Sequence, residues 1–449
     1  MIGVVGRTLP GLVCAYRLAQ AGYDVSVFAA SGVDAIPAQT WPTARLHPSD
    51  SSARTLLTDL NLETRLGWDE ARIGFYDGGT IHPFNTRIER ATHPRLSLRE
   101  TARLEALFAG LCRDGDARFG ISRSVPIDPE NYDDVLLEAY LESASTEHTA
   151  AAIWTPVVEG RFGTAASDLS AAPLLEWIRR RQETRRRGVL EGGAQSLVDA
   201  LVAEIGAENV RPDSSVTDIV IEGGKMQSVR LEGNGGVTTQ PLEALVIATG
   251  PEGLGRLTGY EGRLTGYDAG IETVTPTCVT VSTTRALTGC YDVFLADSAP
   301  FDRIVTPTAI DSPGDDQGTR ADDRTVHTMV RYARSSESST DSTPGAALER
   351  RWLAALGSLF PAFDRSDLES VETTIGTPKP ITAPGYLERV VPYDLEGAVG
   401  DGVFYAGTAS KATYPELRFE GAVAAGEAGA ERVLETLQHA ESPSESGSI

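Results

Sequence analysis

Along the chain, the spacing of apolar and polar positions changes period several times. Residues 1–5 form a continuous apolar run of buried-strand length, 6–11 read as a turn, and 12–21 carry Leu12, Ala15, Tyr16 and Ala19 at helical spacing. Gly22 supplies a helix stop, and 23–28 alternate as a second strand. Strand, turn, helix, strand is the opening of a parallel sheet. From about 50 to 187 the pattern is mostly helical, at 54–66, 96–111 and 133–141. Strand character returns at 216–221 and 227–231, a hairpin around 222–225, and at 242–248, an apolar run ending in Thr249-Gly250-Pro251. Strand-like runs at 277–282 and 326–332, a helix over 346–359, a strand at 403–406 and a helix over 421–437 complete the series. The polar tracts 311–320 and 335–343 read as exposed loops, and the Ser/Glu-rich end from Ser442 as a disordered tail.

A chain of 449 residues exceeds one ordinary core. Its Rossmann-like pieces lie at the start, middle and end, which predicts a sheet assembled from separated segments with other material inserted between them. The expected division is 1–75, 188–260 and 376–440 for a discontinuous dinucleotide-binding domain, 76–187 and 261–375 for a second domain, and 441–449 for the tail. The fold class expected is α/β, a discontinuous Rossmann-like domain with an inserted mixed α+β domain.

Charge narrows the classes of partner. There are 63 acidic against 40 basic residues, a net of −23, and only three lysines, Lys225, Lys379 and Lys411. Such a field repels nucleic acid and anionic lipid, and it is relaxed by salt, which suggests a salt-loving source. No apolar run has membrane-span length and no leader-like N-terminus is visible, so no integral membrane segment is expected and a cytoplasmic location is. Cys14, Cys112, Cys278 and Cys290 have no CxxC spacing, and the six histidines are scattered; buried thiols and no metal site are expected. Arg179–Arg181 and Arg185–Arg187 form a basic run read as a solvated face paired with surplus acid, with an anionic ligand as the less favoured alternative.

In a Gly-x-Gly-x-x-Gly turn the first glycine allows the turn, the second admits the pyrophosphate and the third lets helix pack on strand. Here the spacing falls on Gly6, Thr8 and Gly11, so the first and third roles are kept and the second is not. The acidic residue expected to end the second strand and hold a ribose is also missing: Ala29, Ala30 and Ser31 stand there, and no carboxylate comes before Asp34. A hydrogen bond to a charged group is worth roughly 1.5–3 kcal/mol, so that loss weakens nucleotide binding by about one to two decades.

Set beside known families, the chain resembles the flavin-containing amine oxidoreductases, in particular the branch of protoporphyrinogen oxidase and phytoene desaturase-like proteins. The resemblance runs over most of the length: Val4-Val5-Gly6 to Val27-Phe28; Arg45-Leu46-His47; the segment from Leu62 to Trp68; Gly74-Phe75-Tyr76 with His82-Pro83-Phe84; Ile153 to Pro156; Glu191-Gly192-Gly193; Leu245 to Gly250; Pro384-Gly385-Tyr386; Tyr405-Ala406-Gly407; and Glu420-Gly421-Ala422-Val423. It implies FAD as cofactor, with Gly6, Thr8, Gly11, Gly192, Gly193, Gly407, Thr408, Glu420 and Gly421 as its candidate contacts. In this family the flavin carries the hydride chemistry, and no catalytic side chain stands out here. The departures fall on the cofactor side. Beyond Thr8 and Ala29, the Gly-Gly-Arg segment is not recognisable between 30 and 43, where Pro37 and Pro42 stand, and Thr408 replaces the family's aspartate. Two functions follow as alternatives: an FAD-dependent oxidoreductase acting on a hydrophobic small molecule, or a non-catalytic relative serving as a binding module or as the subunit of a paralogous or homo-oligomeric partner. Arg7 and Lys411 could each meet a phosphate, with a surface role as the alternative. Trp154, Trp177 and the aromatics of 74–76 read as core rather than a substrate cage.

Overall fold

A computed structural model describes residues 1–30, 45–111, 128–258, 270–296, 299–309, 324–334 and 345–441. Asp34, Pro37, Pro42, Cys112, both polar tracts and the tail from Ser442 lie outside the described residues.

The first sheet is assembled from strands at the start, middle and end of the chain. Ile2–Val5 runs between Val25–Ala30 and Ala244–Ile247, parallel to both, and Val403–Tyr405 extends the sheet beyond Ala244–Ile247. On the other side Val210–Glu222 pairs parallel with Val25–Ala30, then Lys225–Gly233 and Gly236–Pro241 continue antiparallel. Its central strands are apolar apart from buried Ser26, because both faces are covered. Val4, Val246 and Phe404 join the helices Leu9–Gln20, Gly193–Ile205 and Phe419–Glu441 on one face. Val5, Ile247 and Tyr405, pointing the other way, pack against Pro251–Leu257 and the loop around Val391 and Leu395.

A second sheet has the order Leu368–Ile375, Thr273–Thr283, Thr325–Arg334, Arg303–Val305, Asp292–Leu295, Ile73–Asp77, Thr80–Pro83, with Lys379–Pro380 pairing Thr273–Val274. One face carries the helices Leu98–Leu111, Leu137–Ala144, Thr155–Phe162 and Ala172–Glu183; the other carries Gly345–Leu359. Between the two lies a three-stranded antiparallel sheet of Arg45–Leu46, Arg186–Leu190 and Leu66–Glu70.

The differences from expectation have local causes. The helix expected over 54–66 ends at Asp59, because Asn61 takes a left-handed φ of 57°, and a single 3₁₀ turn, Glu63–Arg65, leads into Leu66–Glu70. The stretch expected to be mostly helical also contains the strands Leu66–Glu70, Ile73–Asp77 and Thr80–Pro83, the last two forming a hairpin with Gly74 opposite Pro83. The boundary expected after 75 falls inside Ile73–Asp77, and Lys379–Pro380, expected in the dinucleotide domain, belongs to the second sheet. Among the described residues no helix is long and apolar enough to cross a membrane.

Candidate functional site

The turn after the first strand keeps the geometry that its glycines require. Gly6 has φ +105°, and a Cβ there would lie 2.7 Å from the Ala248 carbonyl oxygen. A Cβ on Gly11 would press into the Gly6 carbonyl and sit 2.8 Å from the Ala248 methyl, so helix and strand approach here as only glycine permits.

Between them, Thr8 is turned inward rather than toward a ligand. Its hydroxyl donates to the Ala248 carbonyl at 2.6 Å and accepts from the Gly11 N–H at 3.3 Å, which makes Thr8 the N-cap of Leu9–Gln20. Capping starts the helix at Leu9, three residues earlier than the apolar spacing suggests, and Pro10 is tolerated in the first turn because it lacks the N–H that would go unused there. The anion-binding capacity of a helix start rests on its free N–H groups. Of the first three, Gly11's is taken by Thr8, Pro10 has none, and Leu9's remains.

The other candidates are spread over distinct tasks. Ala29 is buried at the end of its strand, beside Ser215. Gly407 packs against the Thr249 carbonyl and the Tyr405 ring, whose hydroxyl donates to Thr249 O at 2.9 Å and accepts from Ala409 N–H at 3.1 Å. Thr408 is buried beside Gly250, and its hydroxyl has no partner; the Nε of Arg7 is likewise buried and unpartnered. Glu420 accepts from the N–H groups of Ser52 and Ala53 at 3.1 and 2.8 Å and so caps Ser51–Asp59, while Gly421 lies against the Ala412 carbonyl. Gly192 and Gly193 form an exposed left-handed turn that starts Gly193–Ile205, beside Arg65 and Ser196. Lys411 is largely exposed, 3.6 Å from Glu130. Gly6, Thr8 and Gly11 thus cluster with Ala248, Gly407 and Thr408 cluster with Thr249 and Gly250, and Gly192, Gly193 and Glu420 serve helix starts.

Sequence reasoning missed the main cavities. A chamber of about 330 Å³ is lined by Phe75, Phe84, Phe108, Trp154, Val157 and Trp177, with Arg90, Arg181 and Glu183 among its polar groups. Its volume falls in the range of small-molecule pockets. Trp154 and Trp177 are core residues, as expected, and also line this chamber.

Trp177 and Arg181 are shared with a neighbouring cleft of about 80 Å³, where the basic run proves to be something other than a solvated face. Arg179 does pair with Glu176 and Glu183, and Arg185 with Glu70, but Arg180, Arg181 and Arg187 point into the cleft with Arg45, Arg161 and Arg418. The run straddles a helix end and a strand: Ala172–Glu183 delivers the first two, Arg186–Leu190 the third. Helical spacing cannot describe that junction. Buried Asp292 holds Arg45 and Arg303 at 2.8 and 2.6 Å, and these cations keep its carboxyl far below the usual range against the effect of burial. Arg161 pairs with Glu416 at 2.7 Å, and Arg180 with Asp50 at 2.5 Å. Burial followed by repulsion from neighbouring arginines pushes Arg187 down to about 8; burial pushes Arg181 down to about 9 and Arg161 to about 10, although Asp292 and Glu416 respectively oppose the shift. Guanidinium remains charged at neutral pH, so these directions mark an under-compensated cluster. His47 lines the same cleft and is lowered to about 4 by burial and by Arg180 and Arg187.

The family described as flavin containing amine oxidoreductase matches residues 43–434. No curated protein matches the chain in sequence. Among solved structures, a putative protoporphyrinogen oxidase from Exiguobacterium sp. 255-15 aligns with TM-score 0.69 and 15% identity over 97% of this chain and 98% of its own. Cyclohexylamine oxidase from Brevibacterium oxydans IH-35A gives TM-score 0.65 and 17% identity over 97% and 99%, and a reduced UDP-galactopyranose mutase gives 0.66 and 12% over 98% and 96%. At these identities the structural likeness is one of fold.

Proposed function

Because this chain belongs to the flavin-containing amine oxidoreductase family, we propose that it keeps that family's fold as a non-catalytic, small-molecule-binding relative and does not seat FAD against its first turn in the family manner. The observation that carries the proposal is Thr8, whose hydroxyl spends itself on Ala248 and Gly11 where a dinucleotide phosphate would need room and donors. With Pro10 lacking an N–H and Ala29 in place of a ribose-binding acid, the described residues of this turn do not fit a pyrophosphate and ribose so held. The 330 Å³ chamber supports a hydrophobic small molecule as ligand. A paralogous or identical subunit is the partner class proposed for such a relative.

One observation favours the alternative, an FAD-dependent oxidoreductase acting on a hydrophobic small molecule. The Arg7 Nε and the Thr408 hydroxyl are buried without partners, one in the first turn and one beside Gly250, and a dinucleotide could satisfy both. Bound there, FAD would accept hydride while the protein supplied position and exclusion of water.

Titration of the purified protein with FAD, followed by fluorescence quenching, separates the two. Wild type should take up none, while Thr8→Gly combined with Pro10→Ala and Ala29→Glu should gain measurable FAD affinity. Stoichiometric uptake by wild type would instead select the oxidoreductase.

A further inference from the structure

The cleft beside Trp177 holds more positive charge than its own carboxylates balance. Eight cationic side chains line it against three carboxylates, and Asp292 behind Arg45 and Arg303 brings the carboxylates to four. Arg161 is 8% exposed and its Nε, like that of Arg418, is buried without a hydrogen-bond partner. Arg181 donates only to the Ala71 carbonyl and the Asn85 side-chain oxygen, and Arg187 only to the carbonyls of Thr184 and Arg186. Among the described residues, neither has a carboxylate within ion-pair distance. A desolvated cation without counter-charge is costly, and several together repel one another, a cost that a resident anion would relieve. Nor does the cluster follow from composition, since the whole chain carries a net charge of −23. Trp177 anchors it, with the guanidinium carbons of Arg161 and Arg181 each 5.7 Å from its ring centroid.

We propose that this cleft binds a small organic anion carrying at least two negative charges on carboxylate or phosphate groups, whose apolar portion extends past Trp177 into the adjoining chamber. Arginine forks match both oxyanion geometries. The two cavities share Trp177 and Arg181, so one ligand can lay its charged end among the arginines and its apolar end among Phe75, Phe84 and Trp154. None of the residues lining this cleft belongs to the first turn, Gly6 to Gly11.

The test is calorimetric titration of the full-length protein with pyrophosphate and with citrate at fixed ionic strength, which also distinguishes a phosphate from a carboxylate head group. Saturable, submillimolar binding of at least one is expected, weakened about tenfold or more in Arg187→Gln. The same substitution should raise the Tm of the ligand-free protein by removing a repelled charge, a combination that a structural arginine would not give. If Arg187→Gln fails to fold, Arg418→Gln, on the partly exposed rim, takes its place with the same expected loss of binding. Absence of saturable binding of either anion to wild type would overturn the proposal, as would wild-type affinity in the variant coupled with a lowered Tm.

Discussion

At the scale of single residues, Thr8 does two jobs that a glycine in its place could not. Its hydroxyl caps a helix and ties it to the Ala248 carbonyl. Thr8→Ala removes both bonds and should lower the unfolding free energy by about 1–2 kcal/mol in denaturant melts, whereas unchanged stability would mean the cap contributes nothing. Sequence spacing exposed Thr8 as an anomaly, since one glycine position stands out against two that are kept. It could not expose which way the hydroxyl points, because that depends on Ala248, 240 positions away. The histidines carry a pH prediction. His47, His93 and His327 are buried and each is lowered from 6.5 to about 4, with desolvation the first cause in all three. Unfolding therefore takes up protons between these values, so stability is intact above about 6.5 and falls as pH drops toward 4. Urea melts at pH 7 and pH 5 test the slope; equal stability at both would contradict it.

At the scale of elements, helix Leu9–Gln20 lies across Phe419–Glu441 at a distance set by Gly426, where an added Cβ would press into the Pro10 carbonyl and meet Val13 Cβ at 2.8 Å. Gly426→Val should cost roughly 1–3 kcal/mol through overpacking, while Gly255→Ala, in open space within Pro251–Leu257, should be neutral or stabilise by about 0.5–1 kcal/mol. Paired thermal melts check the contrast. The strands of the first sheet were legible because burial on both faces writes continuous apolar runs at 2–5 and 244–247. The small sheet was not: Arg45–Leu46 has two residues and Arg186–Leu190 begins with two arginines, and neither alternates in the manner of a half-buried strand. That sheet positions Arg45 and Arg187, so the arginine cleft was hidden for the same reason.

At the scale of the whole molecule, a net charge of −23 surrounds a buried cationic cleft. With that excess of negative charge, unfolding temperature should rise with added KCl as self-repulsion is screened; an optimum at low ionic strength would contradict this. The proposed function pairs an altered nucleotide turn with a chamber lined by aromatic and charged side chains, and on that reading the family fold outlasts one of its ligands. The most direct test of that account is the visible absorbance spectrum of the protein as purified, with the supernatant inspected for FAD after denaturation. The account predicts no flavin band and no released FAD; a full flavin spectrum with one FAD per chain would contradict it.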